Sequence, residues 1–201
     1  MSRFRRMLFT AALSCATTAV SAQDWQLVKD EEGIQVYLAT VPGSSYKAYR
    51  GVTTIKASIE RLRSLQEDVL TSCQWIFQCQ EQKMLKSEGA QSWMYSRFST
   101  PWPVTPRDSV LHITTSMAAD GALLRRIQAL PDYVPVRDGL VRVSRVDGYW
   151  SLTPKLGGVV EVVYEAHTEP GGSVPSMVAN KFVVDAPFNT LKALKARAEK
   201  P

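Results

Sequence analysis

The sequence has few of the residues that hydrolases and metalloenzymes depend on. It contains two histidines and three cysteines, and it has no HExxH motif, no glycine-rich phosphate loop and no Gly-x-Ser-x-Gly elbow. Zinc proteases, P-loop nucleotidases and α/β-hydrolases require those motifs. His112 and His167 lie far apart on predicted strands, where a structural role is more common than that of a general base. We therefore expect no metal, no cofactor and no catalytic residue.

An excess of basic charge is also lacking once the N-terminus is set aside. The chain has 24 Lys and Arg against 19 Asp and Glu. Arg3, Arg5 and Arg6 lie in the first 22 residues, which leaves 21 basic residues against the same 19 acidic ones. These charges are scattered, whereas nucleic-acid binding needs basic residues clustered on one face. We expect no nucleic-acid partner.

Residues 1–22 have the pattern of a secretory signal peptide. The three arginines precede an apolar run from Met7, and Val20-Ser21-Ala22 matches the small-residue cleavage rule. The run is short for a membrane anchor, which needs about 20 apolar residues. Cys15 lies in a poor lipobox, so a lipoprotein is a weaker alternative. We expect cleavage after about Ala22, a periplasmic or secreted protein, and one domain over residues 23–201.

Two cysteines remain after that cleavage, in the segment "CQWIFQC". An exported protein meets an oxidising compartment, where Cys73 and Cys79 can form a disulfide. Six residue steps of extended chain span about 20 Å, whereas a bridge needs Cα atoms within about 7 Å. A disulfide therefore requires a turn through residues 75–77. The sequence leaves a bridge and two buried thiols equally open.

Strand and helix patterns alternate in an informative order. Residues 33–41 and 45–55 have strand character, and residues 58–70 have helical spacing with Ser58 as a candidate cap. Further strands are predicted at 78–86, 91–99, 108–118, 121–130, 140–152 and 158–168. Residues 176–197 form a long predicted helix that Pro187 should kink or split. The order predicts an α+β fold in which a curved antiparallel sheet wraps around the C-terminal helix.

The segment "SRFSTPWPVTPRDSV" at residues 96–110 is the most unusual connection. Its three prolines bias the chain toward extended structure and rule out a helix or central strand there. Arg107 and Asp108 follow immediately, where the next strand begins. From spacing alone, Arg107 and the strand residue Glu81 are most simply solvated edge charges.

Several motifs together resemble the START (StAR-related lipid-transfer) domain family over residues 24–197. They are Trp75 followed by a strand with Glu81, the Pro-Trp-Pro…Pro-Arg-Asp junction, the Val-Arg…Gly-x-Trp hairpin, and the "PGGSVP" segment before the last helix. The chain is similar to compact, exported bacterial members. The resemblance implies a helix-grip fold with an apolar tunnel between the sheet and the C-terminal helix. The expected mature chain begins at about Gln23, so the N-terminal helix of longer family members is expected to be short or absent, and the region between the first helix and Trp75 is brief. A smaller or more open cavity is therefore expected.

The resemblance also implies the site. In the family an acidic residue after the Trp pairs inside the cavity with the Arg of the Pro-Arg-Asp motif, which corresponds here to Glu81 and Arg107. The last helix and the 118–122 loop are the candidate lids. The ligand-binding residues predicted on this basis are Glu81, Trp93, Tyr95, Arg107, Tyr164, Met177, Val178 and Val184.

The expected function is binding of one lipid or similar apolar molecule, exchanged through transient contact with membranes by a monomer. The first alternative is an enzyme related to polyketide aromatase/cyclases, with Tyr164, His112 or Glu81 transferring protons, because one fold can serve several functions. The second alternative is a ligand-gated interaction module without transport.

Overall fold

Ten strands form one curved sheet that grips a long C-terminal helix in this computed structural model. The structure describes residues 23–200, except the side chains of Ser176, Met177 and Lys181, so the predicted signal peptide lies outside the described residues. The strands are β1 Gln26–Glu31, β2 Ile34–Ala39, β3 Ala48–Ile55, β4 Cys79–Glu88, β5 Gln91–Phe98, β6 Arg107–Met117, β7 Leu123–Ala129, β8 Val141–Arg142, β9 Arg145–Lys155 and β10 Val159–Glu169. The helices are α1 Ile59–Glu67, a short 3-10 helix Ser72–Gln74, and α2 Ser176–Ala198. The predicted α+β helix-grip fold is confirmed.

The strand order places β10, the last strand, beside β3 within the sheet. The sheet runs β1-β2-β3-β10-β9-β7-β6-β5-β4, and the short β8 pairs in parallel with the start of β6. All the other pairs are antiparallel. Because β10 lies beside β3, the strand before α2 is central, and α2 folds back directly across the inner face of the sheet.

Two departures from the predicted elements are local. β1 was missed because "QLVKDE" is polar and mostly exposed, so it carries little apolar alternation. The predicted strand 140–152 is two strands, because the chain breaks at residues 143–144. There the Val143 amide donates to Asp108 O (2.9 Å) and the Ser144 amide donates to Glu169 O (3.1 Å).

Helix α1 begins as its sequence predicts. The Ser58 hydroxyl accepts a hydrogen bond from the Arg61 amide at 3.1 Å, which satisfies one of the free N–H groups of the first turn. The face with Ile59, Leu62 and Leu65 is buried in the main apolar core. α1 thus covers one end of the inner face, and the rest is left to α2.

The two halves of α2 are anchored very differently. Phe188, Leu191 and Leu194 in the second half are buried against the sheet, and each such side chain contributes about 1.5–3 kcal/mol. Gly51 on β3 permits this approach, since a Cβ there would lie 2.6 Å from Leu191 Cδ1. The first half is only partly buried, and it begins after Pro175 without a side-chain cap. Pro187 does not split the helix, which is continuous to Ala198.

A disulfide joins Cys73 in the 3-10 helix to Cys79 at the start of β4, with Cα atoms 4.8 Å apart. The intervening turn brings the two residues close enough, which decides between the alternatives left open by the sequence. Within residues 23–200, no helix combines the length and the apolar character needed to cross a bilayer.

Candidate functional site

An apolar cavity of about 250 Å³ lies between the inner face of the sheet and the first half of α2. The sheet contributes residues of β3, β5, β6, β7, β9 and β10, and α2 contributes residues that include Val178, Phe182 and Val183. Trp150 stacks on Tyr164 with ring centroids 3.9 Å apart, and Tyr49 meets the edge of Tyr164 at 5.1 Å. Tyr49 and Tyr164 line the cavity, so part of its apolar wall is aromatic.

Strand alternation decides which side chains of β6 reach this space. Arg107, Ser109 and Leu111 line the cavity, while Asp108 and Val110 point to the outer face. β6 pairs with β5 so that Phe98 lies opposite Arg107, and Phe98 also lines the cavity. The residue at which β6 begins therefore places a guanidinium inside the apolar space.

Arg107 is the one charged residue among the described side chains that line the cavity. It is 6% exposed, and it donates to two main-chain carbonyls, those of Thr105 and, at 3.4 Å, Gly171. Its Nε has no partner among the described residues. Burial lowers the pKa of Arg107, an effect partly offset by Tyr46, but arginine stays protonated in proteins. A cation thus faces the cavity with much of its donor capacity unused.

The neighbouring Asp108 faces the other way and is fully paired. Arg142 donates to both of its carboxylate oxygens, at 2.8 and 3.1 Å. Arg142 also donates to the carbonyls of Pro131, Val134 (3.0 Å) and Pro135 (3.2 Å), which holds the 131–135 turn against the sheet. This buried ion pair is structural, and sequence reasoning assigned it no role.

The "PGG" segment joins these two sides. Gly171 has φ +70, which glycine adopts without penalty, and a Cβ there would collide with the Arg142 carbonyl oxygen. Its own carbonyl accepts from Arg107. Val141 on β8 donates to Pro106 O at 3.0 Å, which fixes the other side of the same corner. The Pro-Arg-Asp motif, the Val141-Arg142 pair and the "PGG" segment therefore meet where β6 begins.

The predicted ion pair between Glu81 and Arg107 is wrong. A β-bulge between Cys79 and Glu81 inserts one residue into β4, so that Glu81 pairs with Arg97 on the outer face of the sheet. A bulge shifts the alternation by one and turns the following side chains to the other face. The Glu81 carboxylate binds Arg137 at 3.0 and 3.2 Å and lies 3.9 Å from Arg97.

Trp93 and Tyr95 also lie on the outer face and do not line the cavity. They alternate on β5 with Met94, and Tyr95 pairs with the outward-facing Val110. Trp93 stacks on His112 at 4.7 Å, and the Arg137 guanidinium lies 4.1 Å from the Tyr95 ring. Side chains alternate regularly along β5, so the inward-facing Phe98 leaves Tyr95 and Trp93 facing outward. The prediction that these two aromatic residues bind the ligand in the cavity is therefore corrected.

The other predicted residues divide between cavity and core. Tyr164 and Val178 line the cavity, as predicted. Val184 instead packs into the apolar core between α2 and the sheet. The side chain of Met177 lies outside the described residues. Burial raises the pKa of Tyr164, and burial together with Tyr164 raises the pKa of Tyr49 well above its ordinary value, so both phenols stay neutral.

Pro101 and Val178 are the exposed residues among the described cavity lining, so we infer that the cavity opens beside the proline-rich connection and not beside the 118–122 loop. Thr100, Pro101 and Val104 of that connection line the cavity next to Val178. The 118–122 loop joins the far end of β6 to β7, so the candidate lid there is misplaced. The connection and the lining residues Ser109 and Phe182 were not assigned to the site from sequence. Alternation from Arg107 and the apolar stripe of α2 were the available signals.

Comparison with known proteins agrees with this architecture. The START domain family model matches residues 7–201. An uncharacterised protein of Pseudomonas aeruginosa is 53% identical over 196 residues, which cover 98% of this chain and 97% of that protein. The crystal structure of a StAR-related lipid transfer protein from Xanthomonas axonopodis is 41% identical, with a TM-score of 0.82 over 88% of this chain and 99% of that one.

The fold extends to much more distant proteins. An aromatase/cyclase from Streptomyces is 12% identical, with a TM-score of 0.51 over 76% of this chain and 93% of that one. An identity this low shows a shared fold alone. The START family model, in contrast, matches nearly the whole sequence, and the Xanthomonas structure is 41% identical, far above that level. This chain belongs to the START domain family.

Proposed function

We propose that the protein binds one lipid-like molecule in the cavity beneath the first half of α2 and carries it to or from membranes. The observation that carries this proposal is the largely apolar cavity in a chain of the START family. Each CH₂ group moved from water into such a space contributes about 0.8 kcal/mol. The volume of about 250 Å³ lies just below the range of about 300–1,000 Å³ typical of ligand sites, which favours a small ligand.

The first half of α2 supplies a way in and out. It is partly buried, while the second half is fixed by Phe188, Leu191 and Leu194. Segments with few buried contacts open at a lower free-energy cost than the rest of a fold.

The proline-rich connection supplies the membrane contact. Trp102 is 93% exposed at its tip, and Val178 on the adjacent end of α2 is 41% exposed. Tryptophan is favoured at membrane–water interfaces because its ring is amphipathic. A bilayer at this end would meet both side chains beside the cavity opening.

An enzymatic role has less support. Of the three proton-transfer candidates, His112 and Glu81 lie on the outer face of the sheet, where His112 is hydrogen-bonded to Gln91 at 2.8 Å. Tyr164 alone reaches the cavity, and its raised pKa keeps the phenol protonated near neutral pH, so it is not available as a general base. A general base needs a pKa near the working pH.

The proposal also includes export of the protein from the cytoplasm. The basic and apolar residues 1–22 have the pattern of a signal peptide, and the Cys73–Cys79 disulfide suits an oxidising compartment. The proposed carrier therefore acts in the periplasm or outside the cell as a monomer. Fractionation of the native host and intact mass of the recovered protein test this, and a cytoplasmic protein that keeps residues 1–22 would contradict it.

Native mass spectrometry tests binding. Protein purified without detergent should carry one apolar ligand, and Ala179→Phe, which fills the cavity, should abolish the adduct. Ala196→Phe on the exposed face of the same helix is the matched control and should retain it. A wild-type protein that never carries a ligand and binds no fatty-acid, phospholipid or sterol probe would overturn the proposal.

Transfer between vesicles tests the carrier role separately. With a fluorescent fatty acid in phosphatidylcholine vesicles, Trp102→Ser should slow transfer several-fold without changing equilibrium binding. Leu156→Ser is the control, because Leu156 is 99% exposed at the turn between β9 and β10, at the opposite end of the sheet. Equal slowing by both changes, or by neither, would contradict a docking role for Trp102.

A further inference from the structure

Arg107 has no acidic partner lining the cavity among the described residues. Its guanidinium is more than nine-tenths buried and has two main-chain acceptors for its five N–H groups. A buried charge is costly unless it is paired and hydrogen-bonded. Its Nε has no hydrogen-bond partner in the part of the chain that the structure describes, and Arg107 lines the cavity. The unfilled donor capacity thus lies where a ligand would lie.

The neighbouring acids of the described residues do not line the cavity. Asp108 lies on the outer face and is bound by Arg142, and the bulge in β4 turns Glu81 outward to Arg137. Glu169 accepts from Ser44, and Asp185 borders a shallow surface pocket next to the cavity opening. Among the described side chains, none that lines the cavity is acidic. The site therefore has an uncompensated positive charge.

A buried arginine alone does not indicate a ligand, as Arg125 shows. Arg125 is equally buried and its Nε also has no partner among the described residues, but it lies near α1, where it donates to Gln66 at 3.3 Å. It does not line the cavity. Arg107 differs because its charge adjoins an empty volume, where an anionic group can be admitted.

We propose that the cavity takes an amphiphile with one alkyl chain and one anionic head group, a carboxylate or a phosphate, which Arg107 binds. This inference rests on the proposed function and names the ligand class. A guanidinium matches both anions because two parallel N–H groups can bind two oxygens. Ser109, two residues along the same face, adds a hydroxyl donor.

The shape of the cavity determines how the ligand lies. Arg107 is at the end of β6 that adjoins the opening, while Leu111 and Ile127 lie deeper along the sheet. The head group therefore lies near the opening, and the chain extends inward over Tyr164. A volume of about 250 Å³ is small for two chains, so the site suits one.

The test compares three probes of equal chain length by titration calorimetry: palmitate, hexadecyl phosphate and hexadecanol. Wild-type protein, stripped of ligand, should bind at least one of the anions about tenfold or more tightly than the alcohol, since hydrogen bonds to charged groups are the stronger ones. Preference for palmitate over hexadecyl phosphate, or the reverse, identifies which anion the site takes. Equal affinity for anions and alcohol would overturn the inference and leave the carrier function standing.

Variants of Arg107 locate the effect. Arg107→Met should remove the preference for anions while leaving hexadecanol binding within about twofold, and Arg107→Lys should restore part of it because the charge is kept. Arg97→Met on the outer face is the control and should bind like wild type. A preference that persists in Arg107→Met would overturn the inference. If wild type binds none of the three probes, the inference fails, whereas the proposed function is decided by native mass spectrometry and by the phospholipid and sterol probes. The comparison of probes on wild type holds even if a variant does not fold.

Discussion

The two faces of the sheet treat the same kind of side chain in opposite ways. Arg107 and Arg142 both lie at the β6–β8 pairing, where Arg107 is opposite Val141 and Asp108 is opposite Arg142. Arg142, on the outer face, has a bidentate carboxylate partner and three carbonyl acceptors. Arg107, on the inner face, has two carbonyls and an unpartnered Nε.

This difference separates a residue that holds the fold from one that serves the site. A buried charge whose hydrogen bonds are all satisfied belongs to the architecture, and its removal leaves its partner unpaired. A buried charge that is left unsatisfied beside a cavity is more useful as a functional candidate. The two arginines should therefore differ most in how their loss changes stability, and substitutions can test that.

Arg142→Met should have the largest effect. It leaves Asp108, with no exposed surface, as an uncompensated buried carboxylate, and breaking a buried pair in this way costs about 3–5 kcal/mol. Urea unfolding under oxidising conditions measures the loss. The double variant Arg142→Met/Asp108→Asn should be less destabilised than the sum of the two single changes. Additive effects would show that the pair is not coupled.

Gly171→Ala should have the next largest effect, about 1–3 kcal/mol, because a side chain there is strained at φ +70 and collides with Arg142 O. Gly43→Ala is the matched control. Gly43 has φ +80, but a Cβ there meets no described atom within 4 Å, so its cost is that of the backbone conformation alone. Equal losses at the two sites would show that the contact between the "PGG" segment and β8 is unimportant.

The element order and the grip of α2 could be predicted from sequence because they depend on periodicity. The helix at 58–70, the strands and the long C-terminal helix all follow from apolar spacing, and Asp120-Gly121 marked the β6–β7 turn. β1 and the break at residues 143–144 could not, since one is polar and the other depends on hydrogen bonds to Asp108 and Glu169.

The site was predicted less well, for one physical reason. Which face a strand residue occupies depends on register, and one bulge in β4 was enough to place Glu81 on the outer face. Nothing in "CQEQKML" indicates that bulge. The partnership of Asp108 and Arg142 joins residues 34 positions apart and likewise depends on the strand pairing. Arg107 itself was assigned correctly to the cavity, but with the wrong partner.

Glu81→Gln should have only a small effect, a loss below about 1 kcal/mol, because its ion pair with Arg137 lies at the surface. The Glu81 side chain is 34% exposed and that of Arg137 is 48% exposed. Palmitate affinity should be unchanged, since the carboxylate faces away from the cavity. A loss of several kcal/mol, or altered binding, would return Glu81 to the interior and contradict the bulged register.

Arg107→Met should change the stability of the ligand-free protein least, by less than about 1 kcal/mol in either direction. Two opposing contributions lead to this expectation. Removing an unpaired buried charge is favourable, because apolar replacement of buried ionic groups is often neutral or stabilising. Against it, the carbonyls of Thr105 and Gly171 lose their donor, and an unsatisfied buried acceptor costs about 1–3 kcal/mol. The Gly171 bond is long at 3.4 Å, so its loss should cost little.

Urea unfolding of the ligand-free Arg107→Met protein measures this change in stability. Adding the preferred anionic probe at one fixed concentration should then stabilise wild type more than Arg107→Met, because a ligand that binds only the native state raises its stability in proportion to ln(1 + [L]/Kd). A loss from Arg107→Met as large as that from Arg142→Met would show that both arginines hold the fold, and the contrast between the two faces would be wrong.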